Sequence, residues 1–207
     1  MSRPATITDR QILTAARTVF LEKGIRATTA EVARTAGIAE GSIFKRFRTK
    51  AELFRAAMAP TFDEPAWLES LVRRMGKGDV RTVLAEVGLE AVEFFRTLLP
   101  LLMMSWSNPE PGSCATLEQP HPPALRGLQR VSEFFAAEMA TGRLRPHDPQ
   151  ILSRVFLGSI QNFVFFELLQ KAQNRAPMPA DIFLRGLVQL LWEGAQPTAP
   201  RRRKSAP

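Results

Sequence analysis

Four cations fall within six residues: Lys45, Arg46, Arg48 and Lys50. Just before them stand two small residues, Gly41 and Ser42. Ammonium and guanidinium groups bind phosphate, and an arginine fork is also the commonest reader of a guanine edge. The chemistry this cluster could do is contact with a nucleic acid. Rival chemistries are poorly furnished. Cys114 and His121 offer a thiol and an imidazole seven residues apart, the ingredients of a nucleophilic pair. Both lie in a stretch, 108–123, that holds five prolines and reads as a loop. The other histidine, His147, also sits in a proline-bearing turn. No Cys/His cluster has metal-ligand spacing, and no phosphate-binding loop or dinucleotide fingerprint occurs. The expectation is a protein without catalytic residues, metal or cofactor, with an enzyme built on Cys114 and His121 as a remote alternative.

Cations alone do not read DNA; they must be held by elements. Thr8-Asp9-Arg10-Gln11 is a capping box, with Ile12, Leu13, Ala16, Val19 and Phe20 at helical spacing behind it and Gly24 as a stop. Thr28-Thr29-Ala30-Glu31 starts a second helix, which Gly37 ends after about two turns. A third runs from about Glu40 to Phe47, and Thr49 caps a fourth. Helices this short survive only when packed against one another. Helix, glycine turn, helix is the helix-turn-helix unit, whose second helix enters the major groove. Ala33 is small where two helices cross, and Ile38 and Ile43 close the pair on the first helix. Phe44 and Phe47 are expected in the core, and Arg48 is either a phosphate contact or a solvated turn charge.

Charge supports the division. The chain of 207 residues carries a net +8. Residues 1–56 hold +6, residues 57–196 hold −2, and the tail 197–207 holds +4. A basic module on a nearly neutral body points to a polyanionic partner for that module. With 45% apolar residues, the chain has enough for a real core. A lone cysteine fits a reducing cytoplasm, residues 1–10 hold no apolar signal-peptide region, and no charge-free apolar run suggests a membrane span. Past Met58 further helices follow: one around Trp67 to Met75, a long one from Val80 to about Ser107, then 124–141, 149–173 and 181–193. No strand alternation or repeat is visible. The reading is all-α: an N-terminal three-helix helix-turn-helix domain (1–56), a larger helical domain (57–195) and a basic, disordered tail (196–207).

Residues 8–58 resemble the DNA-binding domain of TetR/AcrR-type transcriptional regulators. The resemblance rests on Phe20 to Gly24, Thr28-Thr29, Val32-Ala33-Arg34-Thr35-Ala36-Gly37-Ile38, Gly41-Ser42-Ile43-Phe44-Lys45-Arg46-Phe47 and Thr49-Lys50-Ala51-Glu52-Leu53. The chain departs from the family in having Phe44 for the usual tyrosine, and Lys45 and Arg46 where an aromatic or histidine is common. The resemblance implies a homodimeric regulator whose C-terminal region senses a small molecule, and the expectation is a repressor released by that ligand. By position it implies that Thr28 or Thr29 meets phosphate, that Gly41, Ser42, Lys45 and Arg46 face the major groove, and that Lys50 holds a phosphate. Arg46 is the first choice for base reading. It further implies dimerisation through the last two helices, with Leu152, Val155, Phe156, Ser159, Phe163, Leu184, Leu187, Val188, Leu191 and Trp192 as candidates; packing within one subunit would use the same residues.

A dimer also follows from specificity, because one short helix reads too few base pairs and two copies read a near-palindrome. The effector is expected to be small and largely apolar, in a site lined by Phe94, Phe95, Leu98, Leu102, Met103, Trp106 and Phe134. Glu90, Glu93 and Gln161 could add polarity there, although exposed positions explain them equally. Ser2-Arg3 could be a minor-groove arm or a loose terminus, and Arg201 to Lys204 could add phosphate affinity or be a solvated end. The alternative function is a constitutive or architectural DNA-binding dimer without a sensor.

Overall fold

The computed structural model describes residues 8–59, 65–108 and 123–195. Within them the chain forms α1 (Asp9–Lys23), a 3-10 turn (Gly24–Arg26), α2 (Thr29–Ala36), α3 (Glu40–Phe44), α4 (Lys50–Met58), α5 (Ala66–Arg73), α6 (Val80–Ser107), α7 (Pro123–Ala140), α8 (Pro149–Ala172) and α9 (Ala180–Ala195). No strand occurs among the described residues. The fold is all-α, as the sequence reading has it. Cys114, His121, Ser2, Arg3 and the tail 196–207 lie outside the described residues, as does nearly all of the proline-rich stretch.

The chain divides into two compact units, one of residues 1–61 with 97–122, the other of residues 62–96 with 123–207. In the first unit, capping sets the helix starts. The Thr8 hydroxyl accepts from the Gln11 N–H at 3.3 Å, and the Thr8 N–H donates to Gln11 Oε1 at 2.9 Å. Thr28 and Glu31 repeat this box at the start of α2, and Thr49 accepts from the Glu52 N–H at 3.0 Å to open α4. Beneath the caps lies a core of Ile12, Ala16, Val19, Phe20, Val32, Ala33, Ile43, Phe47, Leu53 and Phe54. Phe20 meets Phe54 edge to face, with ring centroids 5.1 Å apart. Arg17 donates to the carbonyls of Ala57 and Ala59 at 2.9 and 3.2 Å, so α1 holds the end of α4. Leu101 of α6 is buried in this same core and Met104 packs on it. The reading that puts 57–195 in one domain does not separate this end of α6 from the rest.

The second unit joins α5, the first part of α6, α7, α8 and α9. Its core includes Leu71, Val87, Val92, Phe134, Phe135, Phe156, Ile160 and Leu184. Gly88 allows a close approach: a Cβ there would lie 2.7 Å from a Leu184 methyl. Two buried carboxylates bind elements together. Glu138 on α7 accepts from the Gly76 N–H at 2.7 Å and pairs with Arg143 Nε at 2.7 Å, while Arg143 also donates to the carbonyls of Lys77 and Gly78. Glu167 on α8 takes both arms of Arg96 from α6, at 2.8 and 2.9 Å, and Lys171 at 2.9 Å. Burial would push the Glu167 carboxyl up, but Arg96 and Lys171 hold it below its ordinary value.

Helix α8 is apolar enough, by length and composition alone, to pass for a membrane span. The packing explains its character. Phe156, Leu157, Ile160, Phe163 and Val164 are buried, while Ile151, Val155, Phe166 and Leu169 follow at helical spacing on the opposite, exposed face.

Candidate nucleic-acid interface

The turn between α2 and α3 depends on one glycine. Gly37 sits at φ 68°, ψ 33°, the left-handed region that side-chain-bearing residues avoid. The Ile38 N–H returns to the Ala33 carbonyl at 3.0 Å and closes the end of α2. Two side-chain contacts then fix the pair. Thr29 is buried and donates its hydroxyl to Glu40 at the first position of α3. Lys23 donates to Glu31 at 2.8 Å and ties the end of α1 to the start of α2. With Lys23 and the Thr28 N–H on it, the Glu31 carboxyl falls to about 2 and stays ionised.

Helix α3 is shorter than the sequence reading has it: it ends at Phe44 and continues as a turn through Lys45 and Arg46. The Phe47 N–H still reaches the Ile43 carbonyl at 2.9 Å, so Phe47 keeps its helical bearing and is buried with Ile43. At 3.6 residues per turn the opposite face carries Gly41 and Lys45, both exposed, flanked by half-buried Ser42. Phe44, expected in the core, is 44% exposed on the other flank. Ile43 and Phe47 already fill the inward face, and no third inward position exists on so short a helix.

The remaining site residues are placed individually. Arg46 is half-buried and its Nε pairs with Asp9 Oδ1 of α1 at 2.9 Å. Lys50 donates to the Ile25 carbonyl in the turn after α1. The Thr28 hydroxyl is exposed but serves its own capping box, and Thr29 faces inward. Arg48 is exposed, and its N–H donates to Glu52 at 2.8 Å. Sequence reasoning missed Asp9 as the partner of Arg46. The signal was faint: an acidic residue in a first turn is explained by the helix dipole alone.

The candidate effector residues fall in both units. Phe94, Phe95 and Phe134 belong to the second, with Phe94 and Phe95 5.4 Å apart and edge to face. Leu98, Leu102, Met103 and Trp106 belong to the first. Of the candidate dimer residues, Phe156, Phe163, Leu184, Leu187 and Val188 are buried within the chain, with Phe163 stacked on Phe183 at 4.4 Å. Val155 is exposed; Leu152, Ser159, Leu191 and Trp192 are half-buried, and Arg81 lies over the Trp192 ring at 5.0 Å. The other exposed large apolar side chains of α8 and α9 are Ile151, Phe165, Phe166, Leu169, Ile182 and Leu190, which the sequence reading did not name as dimer candidates. His147, in the turn before α8, has its Nε2 2.8 Å from the Gly194 carbonyl and 2.9 Å from Arg145 Nε.

Known proteins share this fold. Residues 12–57 match the family described as bacterial regulatory proteins, tetR family. Residues 123–184 match the C-terminal domain of AefR-like transcriptional repressors. A TetR-family regulator from Mesorhizobium loti superposes with a TM-score of 0.69 at 17% identity, covering 91% of this chain and 96% of its own. NalD of Pseudomonas aeruginosa, the secondary repressor of the MexAB-OprM multidrug efflux pump, gives 0.60 at 24% identity, covering 91% and 95%. FadR of Bacillus subtilis, in complex with stearoyl-CoA, gives 0.61 at 17%, covering 90% and 99%. At such identities the structural likeness establishes a shared fold, while the two sequence matches fall on the reading unit and on the helices that follow it. The chain therefore belongs to the TetR family, and it is a DNA-binding transcriptional regulator.

Proposed function

We propose that the protein is a homodimeric repressor that holds a near-palindromic operator and leaves it when a small, largely apolar effector binds. The observation that carries the DNA half of this reading is the outward face of α3, where exposed Gly41 and Lys45 stand opposite the buried Ile43 and Phe47, with half-buried Ser42 beside them. Gly41 lets the backbone come close to base edges, while Ser42 and Lys45 supply hydrogen bonds. Arg46 reads guanine from its place beside Asp9. Phe44 offers the apolar contact that a thymine methyl accepts. Phosphates are met at the N-terminal end of α2, beside Thr28, and by Lys50 and Arg48 at the start of α4. Thr29 acts through Glu40 by setting α3, not by touching the backbone of the duplex.

The dimer forms through the outward faces of α8 and α9. Ile151, Val155, Phe166 and Leu169 make one apolar stripe, and Ile182 and Leu190 the other. Two copies joined this way present two reading heads to half-sites about 34–36 Å apart, or a multiple. The head is residues 1–56, its core completed by Ala57, Met58 and, from α6, Leu101, and the rest of 57–195 carries the effector and dimer functions. Repression is supported by the match to the AefR-like repressor domain. The protein acts in the cytoplasm on double-stranded DNA. Release is a population shift: the effector must prefer a dimer whose heads no longer fit the half-site spacing.

Selection of the purified protein on a random duplex library at about 0.15 M salt, near physiological ionic strength, tests this reading. Recovery of a palindrome whose arms are one or more helical turns apart is the expected result. Enrichment of single half-sites would remove the dimer. No enrichment, with binding that vanishes as salt rises, would leave an architectural DNA-binding protein.

A further inference from the structure

The second unit contains a polar group that the fold leaves unanswered. The indole Nε1 of Trp67 is buried, and no hydrogen-bond acceptor within the described residues reaches it. The whole residue is 4% exposed. A buried tryptophan N–H normally finds a partner, and a buried donor without one bears the full cost of losing water. Most unpaired groups of this kind in folded proteins have a reason.

The surroundings suggest one. Trp67 lies on the inward face of α5 with Leu68 and Leu71. Phe94 of α6 leans on the indole, with ring centroids 6.2 Å apart, and Phe95 meets Phe94 edge to face. Three residues along α5, on the same side, Ser70 brings a buried hydroxyl. Aromatic walls with one or two convergent polar groups are the composition of a small-molecule site.

We propose that Trp67 is the hydrogen-bond donor of an effector site in the second unit. Its ligand is an uncharged molecule with an oxygen acceptor, such as a ketone, ester or ether, on an apolar body. Ser70 is a second polar contact for that group. The acceptor is uncharged because the indole N–H has no formal charge to offset an ion taken out of water. This inference rests on the effector reading above and adds the chemistry of the ligand and the residue that selects it.

Matched probes separate the two ideas. 2-Acetylnaphthalene and 2-ethylnaphthalene share a shape but differ in the acceptor, as do benzophenone and diphenylmethane. Each is titrated into the full-length protein, with the indole N–H resonances followed by NMR and DNA release measured alongside. Trp67→Phe assigns the Trp67 resonance and removes the donor while keeping an aromatic ring. At least one ketone is expected to bind about three- to tenfold tighter than its hydrocarbon twin, the size of one net neutral hydrogen bond. It should also shift the Trp67 N–H downfield. In Trp67→Phe the preference should vanish while the hydrocarbon still binds, and Ser70→Ala should reduce it. Twins that bind equally, or a preference that survives Trp67→Phe, overturn the role of Trp67 and leave the effector reading standing. Binding of no probe overturns both. Should Trp67→Phe fail to fold, Trp106→Phe and Trp192→Phe assign the other two indole resonances and leave that of Trp67 by elimination; ketone binding that does not move it overturns the proposal.

Discussion

At the scale of single residues, the pairing of Arg46 with Asp9 is the most consequential contact. An exposed arginine is a flexible point of attraction for phosphate, whereas one gripped through Nε by a carboxylate is a positioned fork. A fork of fixed orientation discriminates, at about 1–3 kcal/mol per well-read base pair. Two variants and their combination test this. Arg46→Ala should flatten preference at one base pair of each half-site, at about that cost. Asp9→Asn should strengthen binding to every duplex slightly, by removing a negative charge, while weakening discrimination at the same base pair. In an Arg46→Ala background Asp9→Asn should change discrimination no further, and quantitative binding to a set of singly altered operators measures this. A preference untouched by Asp9→Asn would make the pair a surface ion bridge only, of the kind worth about 0–1 kcal/mol. The sequence made Arg46 visible and hid Asp9, because one stands in a recognisable string and the other is joined to it only by the folded chain. Phe44 was misjudged for a related reason: its type favours burial, but its position on a five-residue helix does not.

Elements were legible where local chemistry decides them. Thr8, Thr28 and Thr49 start helices and Gly37 ends one; each boundary follows from a hydrogen bond within a few residues. Helix faces were legible only where one side is polar. On α8 both sides are apolar, so periodicity could not separate Phe156, which faces the core, from Val155, which faces solvent. The links between elements were not legible at all, because they join residues far apart in sequence. Glu138 is the clearest case: fully buried, it gathers the Gly76 N–H and Arg143 and so fastens the turn after α5 to the end of α7. Glu138→Ala leaves the Gly76 N–H without its acceptor and Arg143 without its counter-charge, with only the Lys77 and Gly78 carbonyls left to it. The loss should be about 3 kcal/mol, reduced from the upper range for buried pairs because Arg143 is part-exposed. A lowered urea midpoint with an unchanged denaturant slope would confirm it. A change below about 0.5 kcal/mol, the size of an ordinary surface substitution, would refute it.

For the whole molecule the governing question is assembly, and the exposed stripes of α8 and α9 give it a direct test. Val155 and Leu190 are exposed in the single chain, so Val155→Glu combined with Leu190→Glu should leave each chain folded. Sedimentation should then report a monomer, because two carboxylates per chain would meet their copies across the symmetric contact. Operator binding should fall about a thousandfold, toward the level of phosphate attraction alone. A dimer that survives would move the contact off these faces. The core of the first unit has a consequence for how such a regulator changes over generations. Ile12, Phe20, Val32, Ile43, Phe47 and Phe54 hold the head together, while Gly41 and Lys45 look outward with Ser42 at their flank. The two sets share no member. If these outward residues read the operator as proposed, the vocabulary of the head can drift one substitution at a time without eroding its fold, and in the proposed symmetric dimer each new word would be written twice.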